Sequence, residues 1–179
     1  MNIKLKDILK TSEQDKILLE NLQVLKELIL NLDNAVPVKG GLKKGTFTVG
    51  DTTYSYSVSD FDFSFVLPGD KDQIRLEPLT VDIGFSVEGD KKDMTSYLPK
   101  GGKENIIKVY STIFKIISTV AKSRNPNHIM ISSYDASGYF PIYNNLTKTN
   151  QLPGYSRKSI IKWNEDGKAA TSIVLKKNN

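Results

Sequence analysis

The chain has no cysteine, one histidine, one tryptophan and three arginines in 179 residues. The missing cysteine excludes disulfides, thiolate catalysis and Cys-ligated zinc or iron–sulfur centres. A single imidazole, His128, excludes a multi-histidine metal site. It stands at a strand start with no ligand-spaced partner, so a structural role is expected for it. No apolar run approaches the ~20 residues that would cross a bilayer. The opening Met1-Asn2-Ile3-Lys4-Leu5-Lys6-Asp7 has no signal-peptide core, so a cytoplasmic setting or an assembly built there is expected. No Walker spacing and no G-x-S-x-G element occurs.

The net charge of +5 is unevenly spread. Residues 60–95 carry four Lys/Arg against nine Asp/Glu, a net of −5; residues 96–179 carry thirteen against four, a net of +9. A basic half attracts phosphate, nucleic acid or an acidic protein face. It equally serves as a solvated surface, because the lysines are dispersed.

Periodicity gives the elements. Ser12 with Asp15 is a capping signal, and Ile17, Leu18, Leu22, Leu25, Leu28, Ile29 and Leu32 recur at helical spacing, predicting a helix from about residue 13 to 32. Residues 46–49 and 53–58 around Gly50-Asp51 read as a hairpin. Tyr54, Tyr56 and Val58 alternate on even numbers, then Phe61, Phe63 and Phe65 on odd ones, which predicts a bulge or a break near Ser59. Residues 74–87 form the next strand, interrupted at Pro78. Ile106, Val109, Tyr110, Ile113, Ile116, Ile117 and Val120 make a helical stripe, predicting a helix over residues 103–123. A short strand over 128–132, a short helix containing Tyr139, Ile142, Tyr143 and Leu146, and a hairpin over 158–163 and 169–175 follow. The expectation is one α+β domain: an N-terminal helical segment (1–33) and a sheet-containing core (45–179). The sheet is mainly antiparallel, with two helices packed on it.

Three clusters have chemical potential. Lys100-Gly101-Gly102-Lys103 precedes the long helix, where unpaired N–H groups, glycines and lysines suit a pyrophosphate or acidic group; a flexible loop that merely starts a helix fits the same residues. Asp60, Asp62 and Asp82 alternate with apolar neighbours, so strand pairing would gather three carboxylates on one face. That cluster would bind Mg²⁺ or supply a base; an ordinary solvated sheet face gives the same pattern. Tyr155, Arg157, Lys158, Lys162 and Trp163 mix aromatic and basic residues as single-strand nucleic-acid surfaces do, and as amphipathic strand pairs do.

Between Val81 and Trp163 the order strand, glycine-bearing turn, helix, strand, short tyrosine-bearing helix resembles the C-terminal half of GNAT-type N-acetyltransferases. The resemblance implies that Val81–Val87 is a splayed central strand and that Lys100, Gly101, Gly102 and Lys103 hold the pyrophosphate of CoA. It also implies that Tyr143 protonates the leaving thiolate. Asp60 or Asp82 would then deprotonate the acceptor amine. The family's coenzyme motif, Q/R-x-x-G-x-G/A, is not found in Leu98-Pro99-Lys100-Gly101-Gly102-Lys103. Lys4-Leu5-Lys6-Asp7-Ile8-Leu9, Lys108-Val109-Tyr110-Ser111-Thr112-Ile113 and Ile142-Tyr143-Asn144-Asn145-Leu146 resemble small uncharacterised proteins of tailed bacteriophages. Where those proteins carry an arginine before the tyrosine, this chain has Tyr139-Phe140-Pro141. Together these resemblances imply a phage-type accessory protein, in the host cytoplasm or the virion, with a catalytically degenerate GNAT-like core that binds a host or virion macromolecule. An active acyltransferase using acetyl-CoA is the alternative. Nucleic-acid binding through residues 96–179 is the third reading.

Overall fold

The computed structural model describes residues 31–61, 64–66, 73–75, 80–87, 102–134, 144, 147–148, 152–165 and 168–178. The expected N-terminal helix and most of the expected short helix around Tyr143 lie outside these residues. The described chain is α+β: nine strands, one long helix and a short 3₁₀ turn at Leu32–Asn34.

The strands are β1 (Lys39–Gly40), β2 (Lys44–Val49), β3 (Thr52–Phe61), β4 (Ser64–Val66), β5 (Gln73–Arg75), β6 (Thr80–Val87), β7 (His128–Tyr134), β8 (Tyr155–Glu165) and β9 (Lys168–Lys177); the helix is α1 (Gly102–Arg124). Seven strands form one sheet in the order β1-β2-β3-β6-β7-β9-β8, and β4 pairs β5 separately. Every neighbouring pair in the large sheet is antiparallel except β6 and β7, which run parallel. Parallel neighbours need a long crossover, and α1 supplies it.

The predicted stripe is what α1 buries. Ile106, Val109, Tyr110, Ile113, Ile116, Ile117 and Val120 share one core with Phe47, Tyr54, Tyr56, Val58, Val81, Ile83, Ile129, Ile131, Ile173 and Leu175. Each fully buried apolar side chain contributes about 1.5–3 kcal/mol, so this interface dominates the fold's stability. The helix stops for local reasons. Lys122 and Arg124 sit in its last turn, where cations suit the dipole. Asn125 adopts a left-handed φ of 47° and still donates its N–H to the Ala121 carbonyl at 3.0 Å. Pro126 then bars continuation.

A strap before β2 is pinned to the helix. The Val36 N–H donates to Thr112 Oγ1 at 3.0 Å, while the same hydroxyl donates to the Lys108 carbonyl at 2.7 Å. The strap turns back through Gly40, at φ 127°. At Gly45 a Cβ would stand 2.5 Å from the Lys39 carbonyl oxygen, so only glycine lets β1 and β2 approach. The edges are protected: β1 is two residues long, and β8 carries a bulge between Arg157 and Ser159 together with exposed lysines.

Two expectations are corrected. No bulge interrupts β3, whose register with β6 runs unbroken from Tyr54↔Val87 to Phe61↔Thr80. Asp60 and Asp82 consequently do not share a face. Asp60 is in register with Val81, on the α1 side, whereas Asp82 is in register with Ser59, on the opposite side.

Candidate functional site: a crevice between parallel strands

β6 and β7 pair for only four registers, Thr80↔His128 to Ile83↔Ile131. Beyond that point β6 stays with β3 from Gly84↔Ser57 to Val87↔Tyr54. β7 stays with β9 from Ser132↔Ser172 to Tyr134↔Ala170. Each strand follows its outer neighbour and the two central ones part. Beyond Ile83 and Ile131 the two strands have no register with each other. The gap opens at the carboxyl ends of both strands. That is also the end at which α1 begins, as its position after β6 requires. A cleft at the carboxyl ends of parallel strands, beside a helix N-terminus, is the place where open sheets seat ligands.

The vertex is braced on the side away from α1. Ser132 Oγ donates to Asp82 Oδ1 at 2.7 Å and lies 2.9 Å from Ser172 Oγ. Because the Ser132 proton is committed to the carboxylate, Ser172 is the donor in the second bond. This chain of hydroxyls ties β6, β7 and β9 together at the point where pairing ends.

Aromatic residues border the mouth. Tyr54, opposite Val87, stacks on Phe47 with ring centroids 5.0 Å apart and planes 11° from parallel. Its hydroxyl is buried without a hydrogen-bond partner among the described residues, and burial pushes its pKa up to about 12. At the helix start, Glu104 bonds Lys108 at 2.5 Å, and that hydrogen bond holds its carboxyl below the ordinary range. The Gly50 turn of the β2–β3 hairpin reaches the same end of α1: a Cβ there would lie 3.2 Å from Asn105 Nδ2.

The residues singled out by sequence are dispersed. Gly102, at φ 80°, and exposed Lys103 open α1 at the crevice end, and among the described residues nothing stands within 4 Å of a Cβ placed at Gly102. Lys100, Gly101, Asp62 and Tyr143 lie outside the described residues. Asp60 forms an ion pair with Arg124, at the far end of α1 from the crevice mouth. Asp82 serves the vertex. His128 is buried at the closed end of the parallel pair, in register with Thr80 and Lys176. Arg157, Lys158 and Lys162 are exposed on β8; Arg157 donates to Asn144 Oδ1 at 2.5 Å, and Trp163 is in register with Ala170. Among the described residues no three His, Asp or Glu side chains gather as a metal site. No helix among them is long and apolar enough to cross a membrane.

Sequence reasoning missed Ser132 and Ser172. The available signal was a small polar residue inside an otherwise apolar strand, next to a strand-borne aspartate. No protein-family model, curated protein or solved structure matches the chain.

Proposed function

We propose that the protein binds an acyl-CoA-class thioester in the β6–β7 crevice, on an N-acetyltransferase-like framework. The observation that carries this reading is the parting of the two parallel strands after Ile83 and Ile131, at the end where α1 begins. A pantetheine arm is an extended chain with two amides. In this reading it adds to the sheet as a further strand would, alongside residues 132–134 of β7. The CoA pyrophosphate then lies against the start of α1, where Gly102 leaves room and Lys103 adds charge. Acyl transfer in this reading uses Tyr143 as the acid that returns a proton to the thiolate.

Calorimetric titration of the full chain with acetyl-CoA, and separately with pantetheine, tests this. Saturable binding of both, tighter for acetyl-CoA, is expected; absence of binding by either rejects the crevice as an acyl-CoA site. Turnover that survives Tyr143→Phe removes the role assigned to that tyrosine.

One observation favours a second reading, a degenerate phage-type core that binds a host or virion protein. Asp60 is held by Arg124 and Asp82 by Ser132, so neither carboxylate is poised as a base within the crevice. In that reading the same crevice receives an extended peptide segment. A pull-down that recovers no specific host or phage protein counts against it.

A further inference from the structure

We propose that a cavity on the β8 side of α1, which meets the crevice strands only at Ile131, is a binding site for a nucleoside phosphate. It encloses about 280 Å³ between the middle of α1 and the β8–β9 edge. Phe114 and Ile117 of α1, Leu175 of β9 and Tyr155 of β8 give it an apolar, partly aromatic floor. Lys148 and Arg157 make its rim basic. Among the described residues no Asp or Glu lines it. The Tyr155 hydroxyl donates to the Pro126 carbonyl at 2.7 Å, which anchors this floor at the opposite end of α1 from the crevice mouth.

The rim is built to face an anion. Asn144 Oδ1 accepts from Arg157 Nη1 at 2.5 Å. Five N–H donors belong to a guanidinium, so one such contact leaves others for a phosphate. A flat neutral body over an aromatic floor and a phosphate at a basic rim is the chemistry of a nucleotide. Inorganic phosphate would make no use of the floor, and an alkyl chain none of the rim. At about 280 Å³ the volume lies just below the usual range of ligand sites, roughly 300 to 1,000 Å³, so nothing larger than one nucleotide unit fits. That unit is a free nucleotide or an exposed nucleotide of a single strand, which share this chemistry.

The test is fluorescence titration of the full chain with methylanthraniloyl-AMP, in competition with AMP, adenosine, inorganic phosphate, a short single-stranded oligonucleotide and acetyl-CoA. AMP is expected to saturate, with adenosine and phosphate each weaker by about tenfold or more, since each lacks half of the recognised groups. Arg157→Gln should weaken AMP by about tenfold, and Phe114→Leu should weaken it several-fold with the melting temperature nearly kept. Lys122→Gln, at the end of α1, should change nothing. Tighter displacement by the oligonucleotide than by AMP identifies a nucleic-acid strand as the source; the reverse order identifies the free nucleotide. If neither AMP nor the oligonucleotide binds at millimolar concentration, or if Arg157→Gln leaves binding untouched, the proposal is overturned. Loss of acetyl-CoA binding alone would leave it standing.

Discussion

Tyr54 shows how a single side chain records the architecture around it. Its ring is part of the core, yet its hydroxyl is buried without a partner among the described residues. A buried unsatisfied group lowers stability by about 1–3 kcal/mol, so Tyr54→Phe is expected to be neutral or stabilising by about 1 kcal/mol in denaturant unfolding. The same residue carries a pH signature. Its folded pKa, about 12, lies above the ordinary 10.0, so folding favours the neutral phenol. Stability is therefore intact below pH 10 and is lost as pH rises toward 12. Tyr54→Phe should flatten that alkaline limb; a mutant and parent that decline in parallel would show the limb to arise elsewhere. Ser132 is the counterpart on the other face. Ser132→Ala removes the donor to Asp82 and the acceptor of Ser172, and should destabilise by about 1–3 kcal/mol.

Elements differ in how far their sequences announce them. The α1 stripe was legible because a 3.6-residue repeat is a local signal, and all seven residues of it are buried. Ile113→Ala, in the middle of that stripe, is expected to lower stability by about 2–5 kcal/mol, readable from the denaturant midpoint. The β2–β3 hairpin was equally legible from Gly50-Asp51. The phase of β3 was not. Tyr54, Tyr56 and Val58 define the core face, and Asp60 continues it in register while reaching past the sheet to Arg124. An aspartate on the core-side parity looks like a slipped strand until its cation, sixty-four residues away, is in view. For the same reason the supposed carboxylate face dissolves. Gly45 makes a sharper test of the strap. Gly45→Ala would push a methyl into the Lys39 carbonyl and the Tyr56 ring, so it should release the β1 segment and raise its amide exchange while leaving β7 to β9 protected.

The proposed crevice depends on a register between strands far apart in the chain. β6 and β7 are separated by a 23-residue helix, and nothing in either strand states where their pairing should stop. The limit is set by outer partners: β3 holds β6 out to Val87 and β9 holds β7 out to Tyr134, so twist between the two halves of the sheet draws the carboxyl ends apart. The glycine-lysine start of α1 was visible in sequence, but the proposal that it holds an anion rests on the crevice beside it. Thermal unfolding of the full chain with and without millimolar acetyl-CoA puts this to the test. Ligand at ~100 times its Kd adds roughly 2.7 kcal/mol, which for a chain of this size raises Tm by roughly 5–10 °C. The crevice account predicts that rise, its loss in Gly102→Glu, and its retention in Gly102→Asn, which tolerates the positive φ without adding charge. An unchanged Tm with acetyl-CoA, or a rise that Gly102→Glu leaves intact, would contradict it.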